Sequence, residues 1–169
     1  MIDRLIFLVS IFFYTNGHSQ IQYSLEANIG LNRIGLFYEL GTEFVKRNHV
    51  VSIGARLYEP DLVFEKDFPG LSLAYEYGLR KSTQNALFIG VAIDAFTELK
   101  DENRLWLYNP RLTLRGQRRI AQKWSLNLGL GFGGTINMLQ SDDPEIANNF
   151  VYVNYELAFG FIYHIGSTQ

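Results

Sequence analysis

None of the 169 residues is cysteine, which excludes disulfides, thiolate metal sites, cysteine nucleophiles and a lipid-carrying N-terminal cysteine. Long apolar runs are missing as well. The most extended, Leu5 to Tyr14, is well short of the about 20 residues an α-helix needs to cross a bilayer, so no helix spans a membrane. Charge of one sign is not in excess: a formal net charge of -2 provides no global field for nucleic acid or for cationic partners. Histidine is scarce, with three in the chain and only His49 and His164 beyond residue 19. Disorder is excluded in turn by 47% hydrophobic and 15% aromatic residues.

The N-terminus carries an export pattern. Arg4 precedes the apolar stretch, and Gly17-His18-Ser19 places small residues where a signal peptidase inspects them. The expectation is a signal peptide over residues 1–19, cleaved before Gln20, with residues 20–169 forming one domain.

What fills that domain is strict alternation, repeated in eight runs. The apolar rows are Tyr23 to Leu31, Ile34 to Phe44, Val51 to Leu57, Leu71 to Leu79, Leu87 to Ala95, Trp106 to Leu114, Trp124 to Phe132 and Val151 to Tyr163, each read at every second residue. No member of these rows is Asp, Glu, Lys or Arg, although charged residues make up 19% of the chain. The intervening rows hold Gly30, Gly35, Gly41, Gly54, Gly78, Gly90, Gly129, Gly131, Gly133 and Gly160. Glycine on one side is what crowding inside a narrow eight-stranded barrel demands, whereas a solvated exterior would carry Lys, Glu and Thr on nearly every strand. The fold expected is all-β: an eight-stranded antiparallel up-and-down transmembrane β-barrel with its apolar row toward lipid.

Connections alternate in length, with short turns at Lys46–His49, Lys81–Asn85 and Gln117–Gln122 and longer ones at Glu59–Pro69, Thr97–Arg104 and Leu139–Asn149; the first outside turn, at Asn32-Arg33, is tight. Short periplasmic turns and long outside loops are the habit of outer-membrane barrels. The outside connections are rich in acids, while the short turns, with Lys123, hold only bases. Trp106 and Tyr108 at one end and Tyr23, Phe44, Trp124 and Tyr163 at the other suit an aromatic girdle. Pro110 removes a ladder hydrogen bond in mid-strand, and a bulge is expected there.

With these features the chain resembles the small eight-stranded bacterial outer-membrane barrels, the OmpA-like and OmpX-like porin-type group, over its mature length. The resemblance is architectural and includes a last strand, Tyr155 to Tyr163, with aromatic residues at alternate positions; Ile165 to Gln169 follow it, where members of the group commonly end on an aromatic residue. It implies placement in the outer membrane of a Gram-negative cell envelope, contact with outer-membrane lipids and lipopolysaccharide, and roles that range over adhesin, anchor, narrow pore and enzyme.

Candidate functional residues fall in two groups. The inward row carries Glu26, Glu39, Glu43, Glu76, Asp94 and Glu156 with Arg56, Arg80, Arg111 and Arg115. Charges in a low-dielectric interior must pair or keep water, so a salt-bridged plug is expected, and a four-residue turn at Lys46–His49 would set Glu39 opposite Arg56. Phe37, Phe88 and Phe96 narrow the same lumen. The second group is on the outside loops: Leu62, Phe64 and Phe68 form an apolar tip, and Asp142, Asp143 and Glu145 an acidic cluster whose spacing is not that of a calcium loop. His49 and His164 map to the periplasmic end on different strands, so an outer-leaflet nucleophile has no base beside it. Neither a catalytic residue, a metal site nor a cofactor is expected. The leading expectation is therefore a non-enzymatic monomeric outer-membrane barrel with a structural or surface-interaction role through acidic loops, where an unknown protein partner could bind, and with no affinity for nucleic acid. The alternatives are a narrow pore for small solutes and a secreted, soluble, lipocalin-like carrier with the apolar row inside.

Overall fold

A computed structural model describes residues 21–59, 68–100, 103–140 and 149–165. The expected signal peptide lies outside them. The described chain forms eight strands: β1 (Gln22–Asn32), β2 (Leu36–Lys46), β3 (His49–Tyr58), β4 (Phe68–Lys81), β5 (Asn85–Lys100), β6 (Asn103–Arg119), β7 (Trp124–Gln140) and β8 (Asn149–His164). Each pairs antiparallel with its sequence neighbours, and β8 returns to β1, closing the barrel. Closure leaves no unpaired strand edge, the condition for a sheet to sit in hydrocarbon.

The phase of the alternation is as expected. Leu40, Leu71, Phe132 and Val151 are 64–73% exposed on the exterior, while Glu39, Arg56, Asp94 and Arg115 are buried within. An apolar band of this extent on a closed barrel faces lipid, and the soluble-carrier alternative is overturned because its apolar row would have to be inside. A two-residue turn joins β2 to β3 at the short end: Lys46 pairs with His49 and Val45 with Val50, around Arg47 at a φ of 57°. Glu39 is thereby set opposite Arg56, in the register anticipated from the turn.

Three expectations need correction. Ile34 does not face lipid. The β1–β2 turn is closed by the Asn32 side chain, whose Oδ1 accepts from the amides of Ile34 (2.9 Å) and Gly35 (3.3 Å), and Gly35 takes a φ of 151° that favours glycine. That turn folds Ile34 over the barrel mouth, where it is 2% exposed. Pro110 makes no bulge: Tyr108–Ile136 and Arg111–Gly133 share one register, and the β6–β7 ladder is simply interrupted between them. The bulge lies instead in β4 between Gly78 and Arg80, opposite Phe88 and Leu87 of β5. Finally, the connection expected over Thr97–Arg104 is mostly strand, because β5 continues to Lys100 and β6 begins at Asn103.

Placing a charge on the lipid face tests this phase. Leu130 is outward and near the middle of the apolar band, so Leu130→Arg should lower folding stability in vesicles by about 2–4 kcal/mol, measured by denaturant titration. An unchanged midpoint would contradict a lipid-facing exterior.

Candidate functional site

Alternation projects side chains from all eight strands into one lumen, and the charged ones sort into two layers. Arg56 on β3 is the centre of the layer nearer the long loops. Its Nε donates to Glu39 on β2, Nη1 donates to Asp94 on β5 (2.8 Å) and to Glu156 Oε2 on β8 (2.7 Å), and Nη2 donates to Glu156 Oε1 (3.1 Å). Arg111 on β6 joins the same two acids, bonding Asp94 through Nη1 and approaching Glu156 at 3.3 Å through Nη2. Strands β2, β3, β5, β6 and β8 are thus bound across the interior.

The second layer, nearer the short turns, centres on Arg115 of β6. Its Nε donates to Glu76 (2.7 Å), and its Nη1 lies 2.6 Å from Glu43. Beside it Glu26 accepts from the amides of Asn28 (2.6 Å) and Asn127 (2.9 Å). The two central guanidinium groups also lie over aromatic faces, Arg56 over Phe37 at 4.2 Å and Arg115 over Phe88 at 4.7 Å. Two of the three phenylalanines expected to narrow the lumen, Phe37 and Phe88, therefore hold its cations, and Phe96 packs on Tyr58 at the loop end.

Glycine makes this packing fit. A Cβ on Gly54 would come within 3.0–3.1 Å of the Glu39 side chain, and one on Gly131 within 2.8 Å of Arg111 Cδ. Both glycines leave the space in which a neighbouring ion pair lies flat against the wall.

Both ends of the lumen are stoppered. At the loop end Ile34, Phe37, Tyr58, Phe96 and Leu107 form a cluster no member of which exceeds 2% exposure, with Tyr58 Oη accepting from Asn32 Nδ2 at 3.0 Å. Below it Asn109 Oδ1 accepts from Asn154 Nδ2 (2.8 Å) and from Thr135 (3.3 Å), tying β6, β7 and β8 where the Pro110 ladder is interrupted. At the short-turn end Val50 and Ile162 are fully buried, and His164 lies between two hydroxyls, Ser24 at 3.0 Å from Nδ1 and Ser125 at 2.9 Å from Nε2. Both serines are 1% exposed, so neither is presented to a substrate. Between the stoppers, Glu26, Glu39, Arg56, Arg111 and Arg115 line a cavity of about 60 Å³, room for a few waters.

Nine of the ten charges expected in the lumen are there. Arg80 is not. The β4 bulge inserts Leu79, so Arg80 pairs with outward-facing Leu87 and is exposed, and Lys81 turns toward the mouth, donating to the Arg47 carbonyl. Leu62, Phe64, Asp142, Asp143 and Glu145 lie outside the described residues, as does the side chain of Phe68. His49 lies at the short-turn rim, with Nδ1 2.7 Å from Tyr75 Oη. The sequence reading missed Tyr58, Leu107, Asn109, Thr135 and Asn154 as lumen residues. All five fall on the inward parity of their strands: Leu107, Asn109 and Asn154 lie between members of the apolar rows already read, and Tyr58 and Thr135 just beyond the ends of theirs.

No protein-family model matches the chain, and no curated protein matches its sequence. Solved structures match its fold. The N-terminal β-barrel domain of Pseudomonas aeruginosa OprF aligns with a TM-score of 0.60 at 11% identity, covering 88% of this chain and 100% of that one. Neisserial surface protein A aligns at 0.57 and 9% identity over 88% and 99% of the two chains. A barrel from the de novo design of transmembrane β-barrels aligns at 0.54 and 10% identity over 88% and 100%. The chain has the fold of small outer-membrane barrels. Because a designed barrel shares that fold, the fold does not choose a role.

Removing Arg56 would leave three buried carboxylates short of a partner. Arg56→Met should destabilise the barrel by about 3–5 kcal/mol, and adding Glu39→Gln should recover part of the loss. A double-mutant cycle by denaturant titration measures that coupling; additive losses would contradict the network.

Proposed function

We propose that this chain is an integral protein of the bacterial outer membrane that neither conducts nor catalyses, and whose plugged barrel is a scaffold for its outside loops. The observation that carries the reading is the filled lumen: among the described residues, two layers of ion pairs lie between an apolar stopper and a histidine–serine stopper, around a cavity that fits a few waters. A narrow pore needs a continuous wet path, and Phe37, Tyr58, Phe96 and Leu107 close it at one end. A luminal enzyme needs an accessible nucleophile, and the only serines beside a histidine among the described residues are buried.

The lipid-facing band and the strand closure support placement in the outer membrane, and a monomer suffices because a closed barrel has no edge left to pair. The loops hold the acids Glu59, Asp61, Glu65, Asp67, Asp142, Asp143 and Glu145. That charge suits divalent ions bridging to lipopolysaccharide phosphates, or a basic protein surface.

Planar-bilayer recording tests the scaffold reading directly: purified protein should give no discrete openings, and steady unitary currents would contradict it. Neutralising the loop with Asp142→Asn, Asp143→Asn and Glu145→Gln should weaken magnesium-dependent retention on lipopolysaccharide without altering heat-modifiable gel mobility. Unchanged retention would remove lipopolysaccharide bridging from the account.

A further inference from the structure

One outward-facing position departs from the large apolar side chains around it. Gly116 of β6 follows Leu112 and Leu114 in the lipid-facing row, and its cross-strand neighbours are Leu87 of β5 and Leu128 of β7. A Cβ built on Gly116 would meet nothing within 4 Å. The missing side chain opens a groove of about 360 Å³ on the barrel exterior, walled by Leu126, Leu128 and Phe159 and ending at Asn85, Gln117 and Arg118.

The polar end of that groove is cationic. Arg118 is exposed on the outward row, opposite Leu126, and so lies two residues further from the β6–β7 turn than Trp124, whose ring packs on Tyr163 at the girdle. An arginine on the membrane side of the aromatic girdle needs an anion or a reach toward the headgroups. None of the ion pairs among the described residues involves it. Arg80, expelled from the lumen by the β4 bulge, lies on the same rank of the sheet: it pairs with Leu87, which pairs with Gly116. Arg119 and Lys123 follow on the adjoining turn, and no acid is present in any of the short turns.

A second exterior groove gives the contrast. It is similar in size, about 420 Å³, and is walled by Leu25, Leu40, Thr42, Ile53, Ala55 and Leu71, with no charged residue at either end. Of these two grooves, the one at Gly116 joins an apolar channel to a guanidinium, that of Arg118.

We propose that this groove is a binding site for an anionic glycerophospholipid of the leaflet at the short-turn end, with an acyl chain seated over Gly116 and the phosphate held by Arg118 and Arg80. The occupant is specified by charge complementarity at one end and hydrocarbon at the other. A free phosphate would satisfy only the arginines and a neutral lipid only the groove. The proposal rests on the exterior facing lipid, and its test separates the two claims.

The full-length barrel, folded in detergent, is mixed with dioleoylphosphatidylglycerol or dioleoylphosphatidylcholine and retained lipid is counted by native mass spectrometry. Heat-modifiable gel mobility reports the fold of every sample. The expected result is retention of one phosphatidylglycerol about tenfold tighter than phosphatidylcholine, that preference lost in Arg118→Gln with Arg80→Gln. Gly116→Leu, which fills the groove and keeps the charges, should weaken retention of both lipids while leaving the gel shift intact. Inorganic phosphate at millimolar concentration should not displace the lipid. Equal retention of the two lipids, survival of the preference in the double arginine variant, or unchanged binding in Gly116→Leu would each overturn the proposal. If a variant fails to fold, the untouched protein with the two lipids and with phosphate still decides. Loss of the gel shift in the untouched protein would instead count against the membrane-barrel reading.

Discussion

The interior of this barrel is organised by guanidinium groups that have nowhere to go. Eight strands enclose a lumen barely wider than the side chains that fill it, so a charge pointing inward is cut off from bulk water and must find its partners across the hollow. Arg56 does so with Glu39, Asp94 and Glu156, each on a different strand. Arg111 shares two of those acids, and Arg115 repeats the arrangement toward the short turns. Other features of the inner wall follow from fitting these groups. Gly54 and Gly131 are bare so that Glu39 and Arg111 can lie against them, and Phe37 and Phe88 provide the faces on which two of the cations rest.

The exterior obeys the opposite constraint. Hydrocarbon offers no hydrogen-bond partner, so the sheet must close and its outward row must be apolar. The two demands are met on alternate residues of the same strands, which is why they were readable as a period of two. The ion-pair network itself forbids a register slip, since a shift of one residue on β3 would carry Arg56 to the lipid face and strand Glu39.

This alternation is also what the amino-acid sequence displays most plainly. Rows such as Tyr23 to Leu31 or Val151 to Tyr163 are long and uninterrupted, and their phase, strand number and even the Glu39–Arg56 pairing followed from parity and a short turn. Parity fails where the backbone changes step. The Leu79 insertion sent Arg80 outward, and the Asn32-capped turn folded Ile34 over the mouth; both are local hydrogen-bonding choices that alternation does not encode. Pro110 misled for a related reason: a missing amide can be tolerated by leaving a gap in the ladder, with Asn109, Thr135 and Asn154 making up the ties inside. The network's partners across non-adjacent strands, such as Arg56 to Glu156, were beyond reach because a sequence period says which face a residue is on and not which residue it meets across a hollow.

The absence of native cysteine makes the central claim open to one clean measurement. Single cysteines introduced in turn from Leu126→Cys to Phe132→Cys along β7, each carrying a fluorophore, can be read in vesicles of brominated lipid. Strong quenching should fall on positions 126, 128, 130 and 132, with little at 127, 129 and 131. Quenching of the opposite set, or an even level along the strand, would contradict a barrel that turns its apolar row to lipid and locks its charges inside.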